Sequence, residues 1–376
     1  MKDYQKLIRI IVSILIAFAP VIIWHIIPAV WKKTTKRYTA YRMERQYASH
    51  TKTIDGVRYF LYNDTKTAKV APLKKRYKRF DIGTGGMYVA TKYYKGHITV
   101  KDTITYLYRK YPVTEVADEA FNGCKELESV QLPNTIRIIG EQAFSCDKKL
   151  HSINWPDSLK RIKKYAFSEC ESLQAVEIYG DCTIEQQVFF LCKSLETFIM
   201  KREQVMRPNP ENESKPLANL QKTIGEGAFC DCPRLKHVEI HALNATMQSN
   251  TTNFWSSTYH PVFSYCDSLQ EIYISDSCRN LCYYNGAIYN KDTTTLIFCL
   301  PSAKGDFYVP TSVRKIRTHA FMGCKQLTEI WLHKDIRYIE TWAFTDSCTV
   351  LFPNVRMDNL KLSNAAFNDK QTIVYY

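Results

Sequence analysis

The stretch IRIIGEQAFSCDKKLHSINWP, Ile136–Pro156, returns in altered form as VRKIRTHAFMGCKQLTEIWL, Val313–Leu332. Each places an aliphatic residue five positions before a Phe, and a Leu six and an apolar residue nine after it. Working outward from these two copies, the same aromatic recurs at Phe121, Phe144, Phe167, Phe189, Phe229, Phe263, Phe321, Phe344 and Phe367. The intervals are 23, 23, 22, 40, 34, 58, 23 and 23 residues, so five of the eight keep one period and the others contain insertions. The companions return in step. Val116, Ile139, Ile162, Ile184, Ile224, Ile316, Ile339 and Leu362 sit five before a Phe, and Leu127, Leu150, Leu173, Leu195, Leu235, Leu269 and Leu327 sit six after one. So many positions repeating together mark a solenoid.

The segment Leu127–Leu132 has the form L-x-x-V-x-L, in which alternate side chains of a short strand point inward. One such unit has too little apolar surface to fold alone, whereas stacked units share a continuous core. The expected fold is therefore an α/β-type repeat solenoid, mostly β, with about nine leucine-rich-repeat units of roughly 23 residues, a β cap and one preceding transmembrane helix. The expected divisions are the helix at 1–31, a basic juxtamembrane segment at 32–53, a β-rich cap at 54–112 and the repeats at 113–376. Insertions are expected at 201–222, where Pro208, Pro210 and Pro216 signal a loop, at 243–260, which carries Phe254, Trp255 and Tyr259, and at 278–312.

The repeat resembles the BspA-like leucine-rich repeats, of form I-x-x-I-G-x-x-A-F-x-x-C-x-x-L-x-x-I-x-L-P, across about two thirds of the chain. IDGVRYFLYNDTKTAKVA, Ile54–Ala71, is similar to the strand pair that precedes such arrays, and YYNGAIYNKDTTTLIFCLP, Tyr283–Pro301, to the hairpin that interrupts them. The resemblance implies a cell-surface or secreted protein of anaerobic gut or oral bacteria, used in adhesion or ligand binding. The sequence departs from the pattern at Cys146 and Cys348, which are off register, and at Thr258, where an aliphatic residue is expected.

Leu7–Val30 reads LIRIIVSILIAFAPVIIWHIIPAV. As a helix this run reaches about 36 Å, enough to cross a hydrocarbon core of about 30 Å. Trp24 and Trp31 suit an interfacial belt. A cleaved signal peptide with Ala17-Phe18-Ala19 at its cut is the rival reading; Pro20 just after that site and the continuing apolar run favour an uncleaved anchor.

The formal net charge is +14, yet residues 1–112 carry 23 Lys and Arg against 6 Asp and Glu, and residues 113–376 carry 28 against 31. A nucleic-acid binder would carry its basic surface on the folded array, so no nucleic-acid partner is expected. Lys32, Lys33, Lys36 and Arg37 are instead placed to contact anionic lipid beside the span. The basic flank after the span favours a cytoplasmic array, and the large domain that comes next weakens that rule, so the repeats are expected in the periplasm or at the cell surface with the cytoplasmic alternative open.

Eight of thirteen cysteines fall once per unit, near the position three after the Phe: Cys124, Cys146, Cys170, Cys192, Cys232, Cys266, Cys324 and Cys348. A ladder of this kind is packing. Cys182, Cys230, Cys278, Cys282 and Cys299 lie outside it; a disulfide from Cys299 to Cys278 or Cys282 is one option, and no zinc spacing is present. Gly83-Thr84-Gly85-Gly86 lacks the rest of a phosphate loop, and neither H-E-x-x-H nor G-x-S-x-G occurs. The expectation is a non-catalytic protein without cofactor or metal, a module that recognises a protein or glycan.

In each strand the residue between the two inward positions faces out. Down the array these are Gln131, Asn154, Glu177, Ile199, Glu239, Tyr273 and Trp331, polar at first and aromatic later. Tyr and Trp on a rigid sheet are binding anchors, so this column is the expected partner-binding face. The alternatives are a membrane-tethered scaffold facing the cytoplasm and a structural envelope protein without a discrete ligand.

Overall fold

The computed structural model describes residues 48–73, 93–179, 182–202, 222–247, 261–344, 348–354, 360–363, 365–367 and 372–376. Leu7–Val30, the basic residues after it, Thr258 and most of the two loop insertions lie outside the described residues.

The chain opens with an antiparallel meander, β1 (His50–Ile54), β2 (Val57–Tyr62) and β3 (Thr67–Ala71). Then come β4 (Lys95–Thr99) and a hairpin of β5 (Thr103–Tyr106) with β6 (Arg109–Val116). From there each coil supplies one strand to each of two sides. One side is built from β7 (Glu126–Gln131), β9 (Ser152–Ile153), β11 (Ala175–Tyr179), β13 (Thr197–Lys201), β15 (His237–Ile240) and β17 (Glu271–Ile274). The other side alternates with it: β8 (Ile138–Ile139), β10 (Arg161–Ile162), β12 (Thr183–Ile184), β14 (Lys222–Ile224) and β16 (Ala245–Met247).

A second meander, β18 (Leu281–Tyr284), β19 (Ala287–Asn290) and β20 (Thr295–Cys299), starts a shorter block. It continues through β21 (Lys304–Tyr308), β22 (Lys315–Ile316), β23 (Gln326–Trp331), β24 (Tyr338–Ile339), β25 (Thr349–Phe352), β26 (Lys361–Leu362) and β27 (Thr372–Tyr375). Coil-to-coil pairing is parallel throughout, as β11 with β13 and β23 with β25. In every coil but that of Phe263, the aliphatic residue five before the Phe lies on the second-side strand: Ile139 pairs with Ile162, and Ile316 with Ile339.

Pitch explains the Phe column. Parallel strands lie about 4.8 Å apart, so a ring repeated once per coil must lie over its neighbour. The pairs Phe121–Phe144 and Phe144–Phe167 have centroids 4.8 and 4.9 Å apart with planes within 7°. The stack runs on to Phe263 and resumes from Phe321 through Phe344 to Phe367. Between Phe263 and Phe321 the second meander divides the core in two: Ile288 and Phe298 face the first block, and Tyr289 and Cys299 the second.

Three expectations are corrected. First, no helix occurs among the described residues, so the α component of the expected fold is not seen there. The Ala-Phe segment is instead a run of tight turns, in most coils with a left-handed residue two before and two after the Phe, such as Gln142 and Cys146 around Phe144 or Tyr165 and Glu169 around Phe167. A chain that must reverse within so few residues has no length for a helical nucleus. Second, the coil containing Phe263 takes its second-side strand from Ala245–Met247, with Met247 paired to Ile224. The insertion therefore begins after Met247, not at Leu243, and Met247 fills the slot given to Thr258. Third, Cys146 is not a rung of the thiol ladder. Asp147 occupies that slot, fully buried, three residues after Phe144.

Candidate recognition surface on the repeat face

On the first side the inward residues of each strand, such as Val176 and Ile178 of β11 or Val238 and Ile240 of β15, are buried, which turns the intervening residue outward. The structure brings four of the seven expected face residues into one transverse row. Glu177 pairs with Ile199, Ile199 with Glu239, and Glu239 with Tyr273. Gln131 is exposed on the separate sheet of β4, β7 and β9.

Asn154 is engaged otherwise. Its Oδ1 accepts the Leu132 N–H at 2.6 Å and its Nδ2 donates to the Leu132 carbonyl at 2.7 Å. The side chain thus stands in for a strand partner beyond the end of β9, and its polar atoms are spent on the fold. Trp331 lies past the second meander, on the sheet of β21, β23, β25 and β27. The column is therefore two patches.

The first patch is a charged network around an aromatic. Glu239 accepts from Nε2 of His237 at 2.6 Å and from Nε2 of His241 at 2.7 Å. The bond from His241, opposed by partial burial and helped by that from His237, holds the Glu239 carboxyl below the usual carboxylate range. The His241 ring leans on Tyr273, centroids 5.1 Å apart, and Tyr273 is exposed. Beside them Lys201 pairs with Glu177 at 2.8 Å. His237 and Glu239 alternate along β15 and His241 follows its end at the same spacing, and both imidazoles reach the Glu239 carboxylate.

The second patch is aromatic. Tyr308 and Trp331 stand opposite each other on β21 and β23 with rings 5.6 Å apart and 17° from parallel. Tyr376 returns across the sheet to meet Trp331 edge-on at 4.8 Å and donates its hydroxyl to the Leu332 carbonyl. Trp331 Nε1 donates to Glu329 at 2.9 Å. Tyr308, Tyr375 and Tyr376 are all exposed. Sequence reading missed Tyr308 and Tyr376; the signal for Tyr308 was the alternation of KGDFY, in which Phe307 faces in.

The ladder thiols do not serve this face. Cys170, Cys192, Cys232 and Cys266 are buried, and each donates to the Phe carbonyl of the preceding coil at 3.1–3.2 Å. Burial pushes these thiols well above their ordinary pKa, which makes them poor nucleophiles. Cys278, Cys282 and Cys299 are free thiols. Among the described residues no group of three His, Cys, Asp or Glu side chains is placed to hold a metal ion.

Parallel coils with a strand on each side, a stacked Phe column and an interrupting meander define a leucine-rich-repeat solenoid. The chain belongs to the BspA type leucine-rich-repeat family, which matches residues 100–207, 213–302 and 260–374. Among solved structures it is similar to a leucine rich cell surface protein from Faecalibacterium prausnitzii, with 22% identity over 86% of this chain and 77% of that one, at a TM-score of 0.52. It is also similar to the pneumococcal vaccine antigen PcpA, with 17% identity over 87% and 82% of the two chains and a TM-score of 0.60. No curated protein matches the sequence.

Proposed function

We infer that the chain is a membrane-anchored, non-catalytic recognition module. It presents the outward face of its first-side sheets to a protein or glycan partner outside the cell. The observation that carries this reading is the pair of exposed polar–aromatic patches, His237–Glu239–His241 with Tyr273 and Tyr308–Trp331–Tyr376, on rigid sheets. Aromatic rings edged by carboxylates suit sugar faces and hydroxyls as well as protein hot spots. The BspA-type repeats and the cell-surface protein of similar fold support an external setting. Leu7–Val30 supplies the anchor in this reading.

The test is binding of the full chain to a printed glycan panel and a panel of extracellular-matrix proteins, beside a Tyr273→Ser/Trp331→Ser double variant. The variant should lose at least about tenfold in affinity for whatever the parent binds, the scale of a single lost hot spot, with an unchanged circular dichroism spectrum. Unchanged affinity on the folded variant would remove this face from the reading.

A further inference from the structure

We propose that the tip of the β5–β6 hairpin, Leu107 and Tyr108, is a membrane-contact finger that docks the N-terminal cap on an anionic lipid surface. The inference rests on the membrane-anchored reading above.

The finger stands out when the two caps are aligned by register. Val100 donates its N–H to Gln131, and Val309 donates to Trp331, so the two valines are equivalent. Twelve residues separate Val100 from Val113, but only three separate Val309 from Val313. The extra length is the hairpin. Its base is fixed: Ile104 and Tyr111 are buried, and the Tyr111 hydroxyl donates to Asn63 Oδ1 at 2.6 Å. With Tyr106 opposite Arg109, two residues are left for the turn. Both adopt left-handed backbone, φ 47° at Leu107 and 63° at Tyr108. Such two-residue turns select Asn-Gly or Asp-Gly, and a Leu-Tyr pair is strained there without gain to the fold. The fold gives no packing in return: Leu107 is 67% exposed and Tyr108 103% exposed. An apolar residue held in a strained, fully solvated turn has its use outside the chain.

Chemistry and position select the partner. Residues 93–112 carry Lys95, Lys101, Arg109 and Lys110 against Asp102. Leu and Tyr followed directly by Arg109 and Lys110 are the composition of an interfacial contact, with Tyr at headgroup depth and cations on anionic phosphates. The entry point of the chain lies beside the finger, because the His50 ring packs on Tyr106 with centroids 4.8 Å apart. His50 is the first residue of β1, and the 19 residues between Val30 and His50 can extend at most about 65 Å. The segment arriving from the expected anchor thus meets the fold next to the tip. Among the described residues the second cap has neither the hairpin nor such a flank.

The experiment is hydrogen exchange of the full chain in nanodiscs of phosphatidylcholine, with and without phosphatidylglycerol. Deuterium uptake across Thr103–Pro112 should slow by roughly fivefold or more in the anionic discs, since amides held against lipid leave solvent, while Ala287–Cys299 exchanges alike in both. The Leu107→Asn/Tyr108→Gly variant should lose that protection and yet melt at a higher temperature, because the turn then carries the residues its backbone prefers. That combination separates loss of contact from loss of fold. Equal uptake in both discs from an incorporated chain would overturn the finger and leave the anchored reading standing. Failure of the chain to incorporate at all would overturn both. Protection that appears without lipid and grows with protein concentration would assign the tip to contact between copies and overturn the lipid proposal.

Discussion

The two caps of this molecule are the same device built twice, and one atom separates them most clearly. Tyr59 in the first cap and Tyr289 in the second are both buried, each three residues after the glycine of matching turns. The Tyr59 hydroxyl accepts the backbone N–H of Lys101 at 3.1 Å. Lys101 comes after Val100 as Pro310 comes after Val309, and proline has no N–H to give. The Tyr289 hydroxyl accordingly has no hydrogen-bond partner among the described residues. An identical side chain in an equivalent place is satisfied in one cap and orphaned in the other, because of a backbone difference twenty or more residues away. The caps also differ in the segment after the meander: 22 residues lie between Pro72 and Lys95, and two between Pro301 and Lys304. The first cap thus carries the longer segment after its meander, and the second passes almost directly into β21.

The largest effect expected from such differences lies at Asp147, which has no counterpart in the second block. Its Oδ1 accepts the Cys124 N–H at 2.6 Å, but Oδ2 has no hydrogen-bond partner among the described residues, and burial raises its pKa to about 9. The folded value exceeds the unfolded one, about 3.9. The folded state therefore holds the proton more tightly, and stability is full below pH ~4 and declines as pH rises toward about 9. An Asp147→Asn variant should lose most of that slope and gain a few kcal/mol at pH 7, the upper bound being about 4 kcal/mol from three pKa units. Thermal melts at pH 5 and pH 8 check it; parallel slopes in parent and variant would show that Asp147 is not the titrating group.

The tyrosine pair comes next and is a test of sign. Tyr289→Phe removes an orphaned hydroxyl and should stabilise by about 1–2 kcal/mol. Tyr59→Phe breaks a made bond and should cost about 1 kcal/mol. Urea midpoints of the two variants moving in the same direction would break the comparison of the caps.

The smallest effects belong to the turns. Glu169 and Gly323 take the same left-handed position, two after the Phe, at φ 61° and 89°. Glu169→Gly should be neutral or stabilising by up to about 1 kcal/mol, while Gly323→Ala should cost about that much, because only glycine adopts this backbone without strain. The added Cβ at Gly323 would meet neighbours only at ordinary contact distances of 3.6 Å and beyond, so any loss reports backbone strain.

The repeat itself was legible because packing rewards it once per coil. Every Leu six after a Phe is buried, and the aliphatic residues five before one, from Val116 to Leu362, lie on the second-side strands. The substitution of Asp147 for a thiol was hidden because Cys146, one residue away, made the ladder look merely displaced. The absence of helix in the described region could not be read from period alone, since a 23-residue unit accommodates either a helical turn or a run of β-turns. On the face, alternation puts Glu177, Ile199, Glu239 and Tyr273 at matching strand positions, and strand pairing joins them in one row. It could not foresee that Asn154 spends its amide on Leu132, or that a second meander separates Tyr273 from Trp331. Both depend on contacts distant in sequence.

The most direct test of the recognition surface is hydroxyl-radical footprinting of the full chain with its strongest binder from the glycan and matrix-protein panels. Tyr273, Tyr308 and Trp331 report on the proposed face, and the exposed Tyr338 and Trp342, from the second-side strand and its adjoining turn, serve as controls. Protection of the first set with unchanged oxidation of Tyr338 and Trp342 is the predicted result. Protection of Tyr338 and Trp342 with Tyr273 and Trp331 still reactive would place binding on the opposite side and contradict the account.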